Sequence, residues 1–168
     1  AIGYASQLAY KRKLDKKMIL PLLYPTASFV FLISLYSEFG VMVLFWLLII
    51  VAATDTGAYF AGKTFGRTPF CETSPNKTLE GVVGGMIFAV IMGIFTSINE
   101  VGILGAIIVS AIVSLSSVFG DLYESYLKRE AGVKDSGNIL PGHGGVLDRV
   151  DGYLFGAIVM LVLLRIII

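Results

Sequence analysis

Asp148 and Asp151 stand three residues apart at the start of the last apolar run of the chain, VLDRVDGYLFGAIVMLVLLRIII. On a helix that spacing puts both carboxylates on one face, a turn from each other. Ionised groups at the mouth of a lipid-facing helix are costly, so something is expected to compensate for them. The helix itself is one answer, because the free N–H groups and dipole of a first turn favour negative charge. A cation shared with another carboxylate is a second. Asp121, in SSVFGDLYESYLKRE near the end of the preceding apolar run, is placed to reach a similar depth. Converging carboxylates repel unless a proton or cation lies between them. Hard oxygen ligands without cysteine suit Mg2+, which takes one or two carboxylates and keeps positions for water and phosphate. Asp121, Asp148 and Asp151 are therefore the candidate metal ligands, with a second cation as an option. A salt-bridge network with Lys128 and Arg129 is the alternative. Glu124, one turn beyond Asp121, reads as a supporting or interfacial group rather than a ligand.

Lysines and glycines supply the complement. Lys77 precedes a helix start in TSPNKTLEG, with Asn76 or Thr78 available as cap and Glu80 in the first turn. Lys134 lies in GVKDSGN. PGHGG joins the unhindered backbone of Gly144 and Gly145 to His143, the only histidine. Glycine-rich loops beside a helix N-terminus bind phosphate, although a flexible turn is the plainer reading of this one. Asp55 sits inside an otherwise apolar run, AATDTGAYFAGKTFG, with Lys63 two turns on. An ionisable residue there points to function, with pairing to a neighbouring helix as the alternative. Carboxylates, lysines and glycine loops at one rim fit metal-assisted phosphoryl or nucleotidyl transfer, in which positioning and charge neutralisation dominate.

The elements that must position these groups are membrane helices. Of 168 residues, 56% are hydrophobic and 15% charged, with a mean hydropathy of +0.83. A soluble domain has about 45–50% and about 25%. Runs close to the ~20 residues of a span cover Met18–Tyr36, Val41–Phe60, Leu79–Ile98, Val101–Glu124 and Val146–Ile168. The expected fold is all-α, a polytopic transmembrane helical bundle forming a single membrane-embedded catalytic domain over residues 1–168. It has a basic segment at 1–17 and long loops at about 61–78 and 125–145. Ala1–Tyr10 reads as the tail of a preceding helix or an interfacial piece. Of the 13 Lys and Arg residues, all but Arg165 fall on the side of the long loops. Basic loops stay cytosolic, so these are expected to face the cytosol of a cell membrane, with the C-terminus pointing away. Gly81, Gly84, Gly85 and Gly93 form the small-residue pattern that lets membrane helices approach closely. Cys71, alone, excludes an internal disulfide and a cysteine metal site. The chain opens mid-pattern at AIGYASQLAYKRK and is expected to be the C-terminal part of a longer protein.

From Ser125 to Asp151 the chain reads SYLKREAGVKDSGNILPGHGGVLDRVD. This resembles the signature of the phosphatidate cytidylyltransferases, or CDP-diacylglycerol synthases: Ser, Lys-Arg, Lys-Asp, Pro-x-His-Gly-Gly, then Asp-Arg-x-Asp, without departure. DTGAYFAGKTFGR and SPNKTLEG are similar to further family segments. In the second, Asn76 replaces the first lysine of the usual Ser-Pro-Lys-Lys-Thr, which leaves Lys77 as the functional one. The resemblance runs from about Ala52 to Asp151 and more loosely to the C-terminus.

It implies transfer from CTP to phosphatidate, giving CDP-diacylglycerol and pyrophosphate in phospholipid biosynthesis, with Mg2+. Under it, metal bridges Asp121 and Asp148, with Asp151 beside them. Lys77, Lys134 and Arg149 hold phosphates, and Asp55 and His143 complete the catalytic set. Lys63, Ser125, Lys128, Gly144 and Gly145 contact substrate. The implied partners are CTP, phosphatidate and membrane lipids, with a homodimer as candidate assembly and no nucleic acid. A CTP-dependent lipid kinase is the nearest alternative, distinguished by releasing CDP instead of pyrophosphate. The Asp-Gly-x-x-Ala-Arg…Gly-x-x-x-Asp-x-x-x-Asp pattern of CDP-alcohol phosphotransferases is missing. A transporter would keep its ionisable residues near mid-bilayer within repeated units, whereas most lie here at one rim and no repeat is visible.

Overall fold

Each expected span becomes a helix, because in lipid a helix satisfies its own backbone hydrogen bonds. A computed structural model describes residues 16–71, 74, 76–133, 135–137 and 145–168, with side chains from residue 24 onward. Ala1–Tyr10, Lys134, His143 and Gly144 lie outside the described residues. The helices are α1 (Lys16–Phe39), α2 (Val41–Phe65), α3 (Leu79–Thr96), α4 (Gly102–Glu130) and α5 (Leu147–Ile167), with a 3-10 turn at Asn99–Val101 before α4. Among the described residues no strand forms beyond an isolated bridge between Pro69 and Thr78. Among the described residues four segments, α2, α3, α4 with its preceding turn, and α5, are long and apolar enough to cross a membrane. The chain is built as a multi-pass membrane protein.

Three helices run past their expected ends. α2 continues past Phe60 to Phe65 and stops where Gly66 N–H returns to the Gly62 carbonyl at 2.9 Å. α4 continues past Glu124 to Glu130. Its extra turn carries an i,i+4 pair between Lys128 and Glu124 at 2.6 Å. Gly132, at φ +70°, then closes the helix in the left-handed region, and Val133 N–H reaches back to the Lys128 carbonyl at 2.9 Å. The turn expected over Ser37–Gly40 shrinks to Gly40 alone, also left-handed at φ +81°.

The interior is apolar: Trp46, Leu47 and Ile50 of α2 meet Val109 and Val113 of α4 and Met160, Leu161 and Leu164 of α5, all buried. The outside is apolar too, with Ile33, Phe95, Ile103 and Leu104 exposed. Between lipid and such a core there is little hydrophobic driving force, so close packing of small residues must hold the helices together. α2 and α3 meet along Gly57, Ala58, Ala61, Gly81, Gly84 and Gly85, where a Cβ on Gly85 would lie 2.6 Å from the Thr54 carbonyl oxygen. The glycines of α3 are packing residues, as expected. The Thr54 and Ser114 hydroxyls share a 2.8 Å hydrogen bond between α2 and α4. At the end of the bundle away from the long loops, Arg165 Nε donates to Glu38 at 2.8 Å and ties α5 to α1.

Candidate active site

The loop between α2 and α3 is held by the first turn of α3. The Glu80 carboxylate accepts from Arg67 N–H at 3.1 Å, Thr68 N–H at 3.2 Å and the Thr68 hydroxyl at 2.9 Å. Phe70 N–H donates to the Lys77 carbonyl at 2.7 Å, and Leu79 N–H to that of Thr68 at 2.9 Å. Thr78, not Asn76, supplies the cap, its hydroxyl accepting from Gly81 N–H at 3.2 Å. This frame leaves Lys77 at the mouth of α3, where its ammonium pairs with Asp121.

Asp121 and Glu124 lie one turn apart on α4, and α5 brings Asp151 to them. The approach depends on Gly120: a Cβ there would stand 2.7 Å from the Asp151 carbonyl oxygen. One carboxylate oxygen each from Asp121, Glu124 and Asp151 lie within 4.8 Å of one another, an arrangement able to hold a metal ion. Glu124 is only 1% exposed. Its Oε2 accepts from Lys128 at 2.6 Å, while Oε1 is buried with no hydrogen-bond partner among the described residues. A carboxylate oxygen in that state, beside two more carboxylates, is unfavourable unless a proton, a donor or a cation reaches it. Asp151 accepts from Gly152 N–H at 2.7 Å, and the Ser125 hydroxyl donates to Asp121 at 3.4 Å.

Asp148 is not one of these three carboxylates, although Lys128 links it to Glu124. Its carboxylate accepts from Lys128 Nζ at 2.8 Å, Gly145 N–H at 2.7 Å, and the Ser136 N–H and hydroxyl, both at 2.9 Å. The structure therefore draws Asp121 to Asp151 and Glu124 instead of to Asp148. Asp148 instead fastens the α4–α5 connection through Ser136 and Gly145, both ahead of α5. Lys128 spans both sets of carboxylates, so part of the salt-bridge alternative is also present.

Two cavities meet at Asp55 and Asp121. One, of about 470 Å³, has Tyr59, Lys63, Asn76 and Lys77 among apolar walls from Ala58, Val82 and Val118. Lys63 Nζ lies 5.6 Å from the centre of the Tyr59 ring, a cation–π distance. The other, of about 320 Å³, is lined by Glu124, Lys128, Asp148, Arg149, Asp151 and Tyr153. Asp55, Lys63, Lys77, Asp121, Lys128, Asp148, Arg149 and Asp151 are thus assembled around one bipartite space. Ser125 adjoins Asp121, and Gly145 takes part through its backbone N–H. Lys134, His143 and Gly144 fall outside the described residues. Glu124 is the group that sequence reasoning placed too far out, although its i,i+3 spacing from Asp121 repeats the spacing of Asp148 and Asp151.

The family model described as the cytidylyltransferase family matches residues 8–167. The chain is 52% identical over 166 residues to the phosphatidate cytidylyltransferase of Helicobacter pylori strain J99, covering 98% of this chain and 62% of that one. It is 39% identical over 155 residues to the Thermotoga maritima phosphatidate cytidylyltransferase, covering 87% and 57%. With the Bacillus subtilis phosphatidate cytidylyltransferase it shares 44% over 122 residues, covering 70% and 45%. The chain thus spans less than two thirds of the length of each of these relatives. Matched over nearly its whole length, the chain belongs to the cytidylyltransferase family.

Proposed function

We propose that the protein transfers the cytidylyl group of CTP to phosphatidate, giving CDP-diacylglycerol and pyrophosphate at the cytosolic face of the cell membrane. The observation that carries the reading is the carboxylate cluster with its buried, partnerless Glu124 oxygen, in a chain so similar to proteins of that name. The donor set is all oxygen and suits Mg2+, which Asp121, Glu124 and Asp151 would hold. When bound, the ion offsets the negative charge of the reacting phosphates. The basic loops beside the cluster support the cytosolic placement.

The chain's own residues supply position and charge. The phosphate monoester of the lipid carries about −1.5 to −2 charges near neutral pH, so its attacking oxygen needs no general base. It attacks the α-phosphorus of CTP, the bond from that phosphorus to the bridging oxygen breaks, and pyrophosphate leaves. What the site must do is hold two anions together. The apolar-walled cavity with Lys63 suits the lipid headgroup, and the charged cavity with Arg149 suits the triphosphate. Arg149 can grip phosphate with two parallel N–H donors, whereas Lys77, paired with Asp121 on the partition between the cavities, acts as a mobile point charge. Asp55, on the same partition, faces both ligands. Lys128 and Asp148 keep Glu124 and the α4–α5 connection in place. Lys134 keeps its assignment to phosphate contact, and His143 its place in the catalytic set, through the motif alone.

The test uses the full protein in detergent or liposomes with CTP and Mg2+. Pyrophosphate should appear only when phosphatidate is added, with CDP-diacylglycerol in equal amount. Release of CDP in place of pyrophosphate would overturn the proposal in favour of a lipid kinase.

A further inference from the structure

Two buried polar atoms in this region have no hydrogen-bond partner among the described residues, Glu124 Oε1 and the hydroxyl of Tyr24. The first belongs to the carboxylate cluster. The second comes from α1, outside the segment that carries the family motifs. The Tyr24 ring packs edge-on against Tyr123, with centroids 5.1 Å apart and planes at 85°, and against Phe155 at 5.4 Å and 52°. Those two rings also touch each other, at 5.8 Å. Tyr123 lies between Asp121 and Glu124 on α4, and Phe155 lies one turn beyond Asp151 on α5. The ring is therefore clamped by the neighbours of the carboxylates, and Asp151, Glu124 and Asp121 are the carboxylates whose charge acts on its hydroxyl. Phenylalanine would fill the same space without burying an unpaired hydroxyl, so packing alone does not account for a tyrosine here.

We propose that Tyr24 is a positioning residue of the cation site, its O–H donating to a water molecule that in turn donates to Glu124 Oε1. One water would join both orphaned atoms, in a setting polar enough to keep it, and leave the second lone pair of Glu124 Oε1 to the ion. It would hold Glu124 with its oxygen turned toward Asp121 and Asp151, as outer hydrogen bonds orient the ligands of other metal sites. This rests on the reading that the three carboxylates bind a divalent cation.

Tyr24→Phe removes one oxygen and keeps the three-ring packing. Mn2+ binding to the full protein in detergent is titrated by the electron paramagnetic resonance signal of the free ion, and thermal unfolding is followed with and without Mn2+. The expected result is a Kd for Mn2+ raised about 10-fold, a smaller Mn2+-induced rise in melting temperature, and an unchanged or higher melting temperature without the ion. Tyr24→Leu should add a loss of melting temperature without the ion, which separates ring from hydroxyl. A Kd for Tyr24→Phe within twofold of the parent would overturn the proposal and leave Tyr24 a packing residue. A parent protein that binds no Mn2+ would overturn both the cation site and the place of Tyr24 in it. Turnover of CTP and phosphatidate is assayed on the same samples. If it is absent while the Kd still shifts, the transferase reading fails and the role of Tyr24 stands.

Discussion

Gly120→Ala adds one methyl group where α4 crosses α5, and the structure sets its consequence. The new Cβ would lie 2.7 Å from the Asp151 carbonyl oxygen and 3.1 Å from Phe155 Cβ, while ordinary contact begins near 3.4 Å. The helices must therefore part by about 0.7 Å, at the level where Asp121 and Glu124 face Asp151. Overpacking of this kind costs about 1–3 kcal/mol of stability. The site is more sensitive than the fold, because Mg2+ tolerates little departure from oxygen distances of about 2.0–2.1 Å. Mn2+ binding should weaken by at least roughly 10-fold, and kcat should fall on the order of 100-fold, the scale of a misplacement approaching 1 Å. Gly152→Ala makes the same chemical change on the same interface, but its Cβ would meet Ser117 and Val51 only at 3.4 Å. It should melt at or above the parent, since alanine is the better helix former by about 1 kcal/mol. Thermal unfolding in detergent, Mn2+ titration and kcat are measured for both variants. A Gly120→Ala protein with parental melting and Mn2+ affinity, or a Gly152→Ala protein damaged equally, would refute this account of how the carboxylates are brought together.

Asp121→Asn and Asp151→Asn should each abolish Mn2+ binding and pyrophosphate release without preventing folding, and the double variant should be hardly worse than either single one. Substantial turnover in either would remove that residue from the ion. Lys77→Met should tighten Mn2+ binding without nucleotide, because the lysine occupies Asp121 in this structure, yet lower kcat/KM for CTP by about 2–4 kcal/mol in transition-state terms; isothermal titration and initial rates read the two effects separately. For orientation, Val133→Cys in a Cys71→Ser background should resist an impermeant thiol reagent added outside intact cells, while Glu100→Cys should react. The reverse pattern would invert the topology.

Apolar runs leave the chain little choice in lipid, so α2 and α3 begin at the residues where the runs begin, Val41 and Leu79, and α5 within one residue of Val146. Their far ends are harder to read. Gly62, in the last turns of α2, looks like a stop, but it lies against Thr78 and Gly81 of the next helix and is spent on packing. The carboxylates show the same limit. Spacing puts Asp148 and Asp151 on one face without saying which of them turns toward α4. That is decided by Ser136 and Gly145, which claim Asp148, and by the glycine at position 120, which admits Asp151. Glu124 was legible by spacing but not by burial, since burial depends on how closely α5 approaches. Tyr24 carries no motif at all, and its position follows from the docking of α1 against α4 and α5.

The unequal lengths of neighbouring helices have a consequence for kinetics. α4 has 29 residues and α3 has 18, a difference of about 16 Å at ~1.5 Å per residue, against a hydrocarbon core of ~30 Å. If α3 and α4 cross the hydrocarbon core together, the turns from Asp121 to Glu130 form the overhang, where the proposed lipid phosphate would sit. A lipid reaching them there lifts only its phosphate. Removing it from the bilayer would expose both acyl chains at about 0.8 kcal/mol per CH2, which for two long chains is far beyond what a turnover step can supply. Encounter is then confined to the plane of the membrane. Under the proposed function, the quantity that saturates such a site is the mole fraction of phosphatidate among all lipids, so diluting it with inert lipid should slow the reaction at constant bulk concentration.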